Sequence, residues 1–383
     1  MGNLKITYIS IYIFLNLCCL NKYFSNEDDD EDSCCCCKWC EDKITKNNTG
    51  KQQSEINNKN KEENKEKNKE EEEKEEEEKE EEFTNTKTLS GHTDKVMAIT
   101  QLKSGKLATG SYDKTIKIWD IAKEKEDKII EEEGYILVLL EFEDNKLLSG
   151  TSDNNINLWD LNSNFPELEK SFKGHKLWVN CLVKIDDQRF ASGSNHTTIK
   201  VWDYNSGKCL ITLEGHEDSI LSLVLLKNGK LCSGSADKSI KIWDIEKKEC
   251  IQTLFGHDKW VKCVFELDNG IIVSGSDDRS IKLWKPKNNG EYELLRTITE
   301  HKHSVITFCQ IDENHFASGS FDQTIKIWKI KTWECVQTLN GHVNYIIEII
   351  KLKKDGKQAI ASCSNDTSIK IWEKELPKKK EEN

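Results

Sequence analysis

Residues 235–244 read SADKSIKIWD, and the phrase returns at 111–120 as SYDKTIKIWD, at 276–285 as SDDRSIKLWK and at 320–329 as SFDQTIKIWK. Its first half is turn chemistry, and IKIW alternates as a strand with one buried face does. A catalytic centre needs one copy of its residues, whereas a part that buries its apolar face only by stacking on its own kind is repeated. The decapeptide therefore reads as a turn and a strand of a recurring structural unit.

Trp119, Trp159, Trp202, Trp243, Trp284, Trp328 and Trp372 recur 40 to 44 residues apart, a GH dipeptide precedes most of them, and W-D closes four of the units. In the first unit Thr109 lies 17 residues after His92, Asp113 4 further on and Trp119 6 beyond that. The same rhythm selects His216, Ser233, Asp237 and Trp243, then His257, Ser274, Asp278 and Trp284, then His301, Ser318, Asp322 and Trp328. The last unit keeps His342, Ser362, Asp366 and Trp372 but carries three extra residues around KKDGKQ.

Over residues 83–374 this pattern resembles the WD-repeat (WD40, G-protein-β-like) family. The resemblance implies an all-β, seven-bladed propeller in which those His, Ser/Thr, Asp and Trp side chains form a hydrogen-bonded relay inside each blade. Two units depart from it. Glu132 stands at the histidine position of the second, beside Ser149, Asp153 and Trp159, and His196 stands at the aspartate position of the third, beside His175, Ser192 and Trp202. Both relays are expected to be incomplete. TNTKTLSGH has the phase of CLITLEGH and CIQTLFGH, so residues 84–89 are expected to supply the outer strand of the last blade and close the ring.

A Ser–His–Asp set invites a catalytic reading. It fails on multiplicity, since a triad needs one exposed nucleophile beside an oxyanion hole. Neither a G-x-S-x-G elbow nor a phosphate-binding G-x-x-x-x-G-K-[ST] loop occurs in the chain. The expectation is a non-enzyme with no cofactor and no metal site.

Charge divides the chain. Residues 1–82 carry 13 lysines and 23 acids, whereas residues 83–383 carry 43 basic and 45 acidic side chains. A nearly neutral body gives no electrostatic case for nucleic acid. Residues 6–20 are uncharged, and as a helix would span about 22 Å against a hydrocarbon core of about 30 Å, so residues 1–22 read as a leader or a membrane anchor. Residues 23–82 form a low-complexity, Cys-rich and Glu/Lys-rich spacer, expected to be disordered or a solvated helix, in which residues 61–82 hold 14 Glu, 6 Lys and 2 Asn with nothing apolar to bury. Cys34, Cys35, Cys36, Cys37 and Cys40 are candidates for lipidation, their spacing lacking the fourth thiol of an iron–sulfur loop. Residues 375–383 are a charged tail. The eight cysteines of the body are scattered singly and read as small buried hydrophobes, which favours the cytoplasm, with tethering through the N-terminus; a leader would instead direct the chain to the secretory pathway.

In WD-repeat proteins partners often bind the face carrying the loops before the first strands and the turns between the second and third. The resemblance projects two positions per unit there, and six of those fourteen are aromatic: Tyr112, Tyr135, Trp178, Trp260, Phe321 and Tyr345. Aromatic side chains are the usual anchors of interfaces. The sequence therefore points to a monomeric scaffold or adaptor for protein or peptide partners. The alternatives are a substrate-recognition subunit of a ubiquitin ligase and an enzyme built on a propeller.

Overall fold

Alternation of apolar and polar residues sets the strands. In VMAITQ, Val96 and Ala98 are buried while Met97 is partly exposed, and LATGS is buried along its whole length because sheets cover both of its faces. The structure, a computed structural model, describes residues 82–375 apart from 355. The apolar segment, the cysteine string, the charge run and nearly all of the tail lie outside the described residues.

The described chain forms 28 strands in seven four-stranded antiparallel sheets. β1 (Thr84–Ser90) comes first; the first blade then runs β2 (Val96–Gln101), β3 (Leu107–Ser111), β4 (Thr115–Asp120) and β5 (Lys125–Glu131), side by side in chain order. Five further blades repeat it. Their innermost strands are β6 (Ile136–Glu143), β10 (Val179–Lys184), β14 (Ile220–Leu225), β18 (Val261–Glu266) and β22 (Val305–Gln310). The last blade consists of β26 (Ile346–Leu352), β27 (Lys357–Ser364), β28 (Ser368–Glu375) and, on its outer edge, β1. Each innermost strand packs on the next, and β26 packs on β2, so the ring closes into a seven-bladed propeller around a central channel of about 870 Å³.

The core is correspondingly divided. Seven apolar layers lie between neighbouring blades, one of them joining Leu107 and Trp119 of the first blade to Leu352, Ala361 and Ile371 of the last. Closure rests on the pairing of β1 with β28, from Thr84 opposite Glu373 to Ser90 opposite Ser368. Lys370 Nζ donates to Thr88 Oγ1 at 3.0 Å, the contact that Lys241 makes with Thr253 inside an unbroken blade at 2.9 Å. Gln337 of the sixth blade then clamps Phe83: its Oε1 accepts from the Phe83 N–H at 3.0 Å and its Nε2 donates to the Phe83 carbonyl at 2.9 Å. Gln252 and Tyr292 form the same clamp elsewhere in the ring.

One residue at the closing seam is unusual. Ala98, Val138, Cys181, Ser222, Cys263 and Thr307 occupy one position of the innermost strands, and Glu348 occupies it in β26. Ser222 and Thr307 accept the N–H of Val264 and Ile349 on the following blade, each at 3.1 Å. Glu348 Oε2 accepts the Ile99 N–H at 2.8 Å, joining last blade to first. It lies opposite Cys363 on β27, and burial pushes its carboxyl up to about 7 from an ordinary 4.5. The folded protein thus keeps a proton that the unfolded chain releases near 4.5, so this group's contribution to stability falls as pH rises from about 4.5 to about 7. Glu348→Gln retains an acceptor for Ile99 without the titration. Over that window the melting temperature of the wild type is expected to fall relative to that of the variant; parallel pH profiles would count against a proton on Glu348.

Not every cysteine is core. Cys181, Cys232, Cys263, Cys309 and Cys363 are buried, but Cys209 and Cys250 are exposed and Cys335 is half-buried, because all three occupy the same position on outer strands.

Candidate functional site

The recurring phrase builds the interior of a blade. In the first, Trp119 Nε1–H donates to Thr109 Oγ1 at 2.7 Å, Thr109 lies 2.8 Å from His92 Nε2, and His92 Nδ1 lies 2.8 Å from Asp113 Oδ2. A carboxylate only accepts, so Nδ1 carries the proton and Nε2 accepts the hydroxyl hydrogen, which leaves every group in the chain satisfied. Trp243, Ser233, His216 and Asp237 repeat the relay at 2.8, 2.7 and 2.6 Å, and Trp284, Ser274, His257 and Asp278 at 2.8 Å throughout. Trp328, Ser318, His301 and Asp322 repeat it at 2.7 Å, and Trp372, Ser362, His342 and Asp366 at 2.9, 2.8 and 2.7 Å.

The same aspartates hold the loops of this face. Asp237 also accepts the Glu217 N–H at 3.0 Å and the Ser239 hydroxyl at 2.6 Å. Burial alone would raise its carboxyl, but the hydrogen bonds from His216 and Ser239 more than offset that and hold it well below the usual range. The residue after each of these aspartates adopts the left-handed conformation, as at Lys238 (φ 72°), which turns the chain back into the third strand. Gly215 (φ 145°) lies under the ring of Trp243, where an added Cβ would stand 3.3 Å from Cη2. The serine hydroxyls of the relay are wholly buried, so a nucleophile at Ser233 or Ser274 would have no surface to meet a substrate.

The second blade replaces the histidine chemistry rather than losing it. Glu132 Oε1 accepts from Ser149 Oγ at 2.6 Å and from Trp159 Nε1 at 2.7 Å, and its Oε2 accepts from Asn157 Nδ2 at 2.6 Å. Asn157 stands where the other six units have lysine, and its own oxygen accepts from Ser171 at 2.7 Å. The relay is incomplete here as expected, since Asp153 accepts from Thr151 and Asn155 and stands outside it, but one carboxylate meets three donors in its place, and burial raises its pKa. In the third blade the network is cut: His175 Nε2 lies 2.6 Å from Ser192 Oγ, but Nδ1 is buried without a hydrogen-bond partner because His196 replaces the aspartate. Burial lowers the His175 pKa to about 3, keeping the ring neutral.

At the channel mouth the aromatic positions gather. Tyr112 stacks on Tyr135 with centroids 4.5 Å apart, and Tyr135 meets Trp178 edge-on at 6.5 Å. Phe321 stacks on Tyr345 at 4.4 Å, with His303 beside both. Trp260 carries Lys262 over its ring at 4.6 Å, and Lys262 lies 3.7 Å from Asp277. Tyr112, Trp178, Trp260 and Phe321 line the channel cavity directly, whereas Tyr135 and Tyr345 flank it through their stacks. Trp178, Trp260 and Tyr345 remain 38%, 47% and 36% exposed. Sequence reasoning missed Glu348 in the channel wall and the Asn157–Glu132 pairing; the break in the lysine column at Asn157 was the available signal. Among the described residues no cluster of His, Cys, Asp and Glu could hold a metal ion, and no helix is long and apolar enough to cross a membrane.

Seven blades, an internal relay and one aromatic-rimmed mouth define the class as a seven-bladed WD-type β-propeller. Six stretches, 83–120, 166–203, 207–244, 248–285, 292–329 and 333–373, match the family model described as WD domain, G-beta repeat, and the chain belongs to that WD40 family. The family is generally a non-catalytic protein-interaction scaffold. The stretch left unmatched between the first two covers the blade built around Glu132. No curated protein matches the chain.

Removing the Glu132 carboxylate takes the best acceptor from three donors at once, leaving Trp159 Nε1 only Ser149 Oγ at 3.2 Å and Ser149 Oγ only the Asn157 carbonyl at 3.4 Å, so Glu132→Ala should cost about 2–4 kcal/mol of unfolding free energy. Glu132→Gln should cost less but still destabilise, because its amide turns an N–H toward at least one donor. Chemical denaturation of the three proteins checks the order; equal stability of Glu132→Ala and wild type would show the network to be idle.

Proposed function

We infer that the protein is a non-catalytic scaffold that docks protein or peptide partners on the aromatic mouth of its propeller. The observation that carries this is the exposure of Trp178, Trp260 and Tyr345 around the channel mouth, with Leu177, Phe255 and Val343 also exposed in loops of the same face. Aromatic side chains that present large area at low entropic cost are the anchors of interfaces, and contiguous exposed apolar surface favours a bound partner. The relay supports the non-catalytic part of the reading, since its serines are wholly buried and its aspartates already accept several hydrogen bonds from the blade.

Affinity capture with the full chain, run beside Trp178→Ala/Trp260→Ala/Tyr345→Ala, tests the docking face. The three side chains are partly solvent-exposed, so the variant should melt within a few degrees of the wild type while losing most captured partners. A fully retained set of partners in a folded variant would move the docking surface elsewhere. Ubiquitin-ligase subunits among the proteins retained on both baits would support the narrower role of a substrate-recognition subunit.

A further inference from the structure

The three extra residues around KKDGKQ in the last unit change the ring at its closing seam. In the first blade the pairing of β2 with β3 ends at Gln101 opposite Leu107, and that of β3 with β4 at Leu107 opposite Trp119. The last blade runs on. β26 pairs with β27 as far as Leu352 opposite Ala359, and β27 with β28 for three positions beyond Trp372, to Lys357 opposite Glu375. The connection between β26 and β27 therefore stands out from the face of the ring opposite the aromatic mouth, beside the shorter connection between β2 and β3.

Between these two connections and the turn after β4 lies a cavity of about 520 Å³. Sites for small molecules usually measure about 300–1,000 Å³. The floor is apolar: Leu352 and Ile371 are buried beneath it, and Ile121 and Ala122 form the side given by the first blade. Ile121 marks the seam as open here. Its counterparts two residues after the tryptophan in other blades, Leu161, Tyr204, Ile245 and Ile330, are buried, whereas Ile121 stays partly exposed.

Lysines surround this floor, and their partners decide what it can hold. Lys87 Nζ donates to the Ile121 carbonyl at 2.9 Å and lies 3.1 Å from Glu124, Lys106 lies 2.7 Å from Asp127, and Lys354 is paired with Glu373. Asp120, the acid of the lining, pairs with Lys123 at 2.8 Å and accepts the N–H groups of Ala122 and Lys123. That leaves Lys353. Gln101 fixes its backbone, accepting its N–H at 2.7 Å and donating to its carbonyl at 3.3 Å, while its ammonium has no carboxylate partner among the described residues. The wall raised by the insertion thus carries an unneutralised cation at the edge of an apolar floor.

We propose that this cavity is a site for a small organic monoanion, an apolar body with a single carboxylate. The body packs over Leu352 and Ile121, and the carboxylate neutralises Lys353. A ligand so placed touches the first and last blades at once, so its binding favours the closed ring. The proposal does not depend on the reading of the mouth, which lies at the other end of the strands.

Octanoate and cyclohexanecarboxylate, titrated calorimetrically into the full chain, test the site against octylammonium and cyclohexylammonium, which carry the same bodies and the opposite charge. At least one of the acids should bind at a single site. At a concentration about tenfold above its dissociation constant it should raise the melting temperature by about 2 °C. The ammonium ions should bind about tenfold more weakly or not at all. Ala122→Trp fills the cavity from an exposed position and Lys353→Glu reverses the charge. Each should weaken the acid by about tenfold or more, while the unliganded variants melt as the wild type does. Trp178→Ala/Trp260→Ala/Tyr345→Ala should bind the acid unchanged. Failure of both acids to bind, equal binding of acid and ammonium, or binding undiminished in Ala122→Trp or in Lys353→Glu overturns the site. Loss of binding in the triple aromatic variant would place the ligand in the channel and overturn it equally.

Discussion

The pairing of β1 with β28 is the contact on which the remainder of the ring depends. Each apolar layer lies between two blades, so no blade buries its faces until it has a neighbour on both sides. An open row of seven sheets would form six of those layers and leave the two faces of the seventh exposed. Closure by the first strand of the body turns a row into a ring and brings the layer of Trp119 and Ile371 into being. The Gln337 clamp on Phe83 then fastens the same strand to a second blade, so that pulling β1 away disturbs two seams.

Within a blade the requirement is narrower than a fixed set of four residue types. An indole N–H and a hydroxyl buried between sheets must find acceptors, and the histidine–aspartate pair is one solution. Glu132 is another. It reaches both donors directly and recruits Asn157, and the tryptophan it serves is only slightly more exposed, at 8%, than its six counterparts. The third blade shows a cost accepted: His175 holds Ser192 with one nitrogen and leaves the other without a partner.

Much of this was legible because it is written at fixed offsets. The tryptophan period marks seven units, and the phase of TNTKTLSGH identifies the strand that closes the ring. The 17 residues between His92 and Thr109 separate side chains that lie 2.8 Å apart in the blade. Contacts across seams follow no such rule. That Tyr112 stacks on Tyr135, 23 positions away in a different unit, depends on how two blades lean together. The exposure of Cys209, Cys250 and Cys335 was hidden for a related reason: an outer strand has a covered and an open face, and short apolar runs such as CLITL do not tell which is which. Glu348 was passed over because a single acid in IIEIIKL reads as solvent-facing, whereas the closed ring sets it against the backbone of the first blade.

The ring also imposes an order on biosynthesis. Thr84 emerges from the ribosome almost 300 residues before its partner Glu373, so β1 is the first strand of the body to be made and among the last to be used. Throughout that interval it is an unpaired edge, and the seventh sheet cannot be completed while the chain is still growing. Five of its seven residues, in TNTKTLS, have exposed side chains even in the finished blade. A strand so polar offers passing chains little apolar surface to add to, and is suited to waiting in solvent until the last tryptophan has arrived.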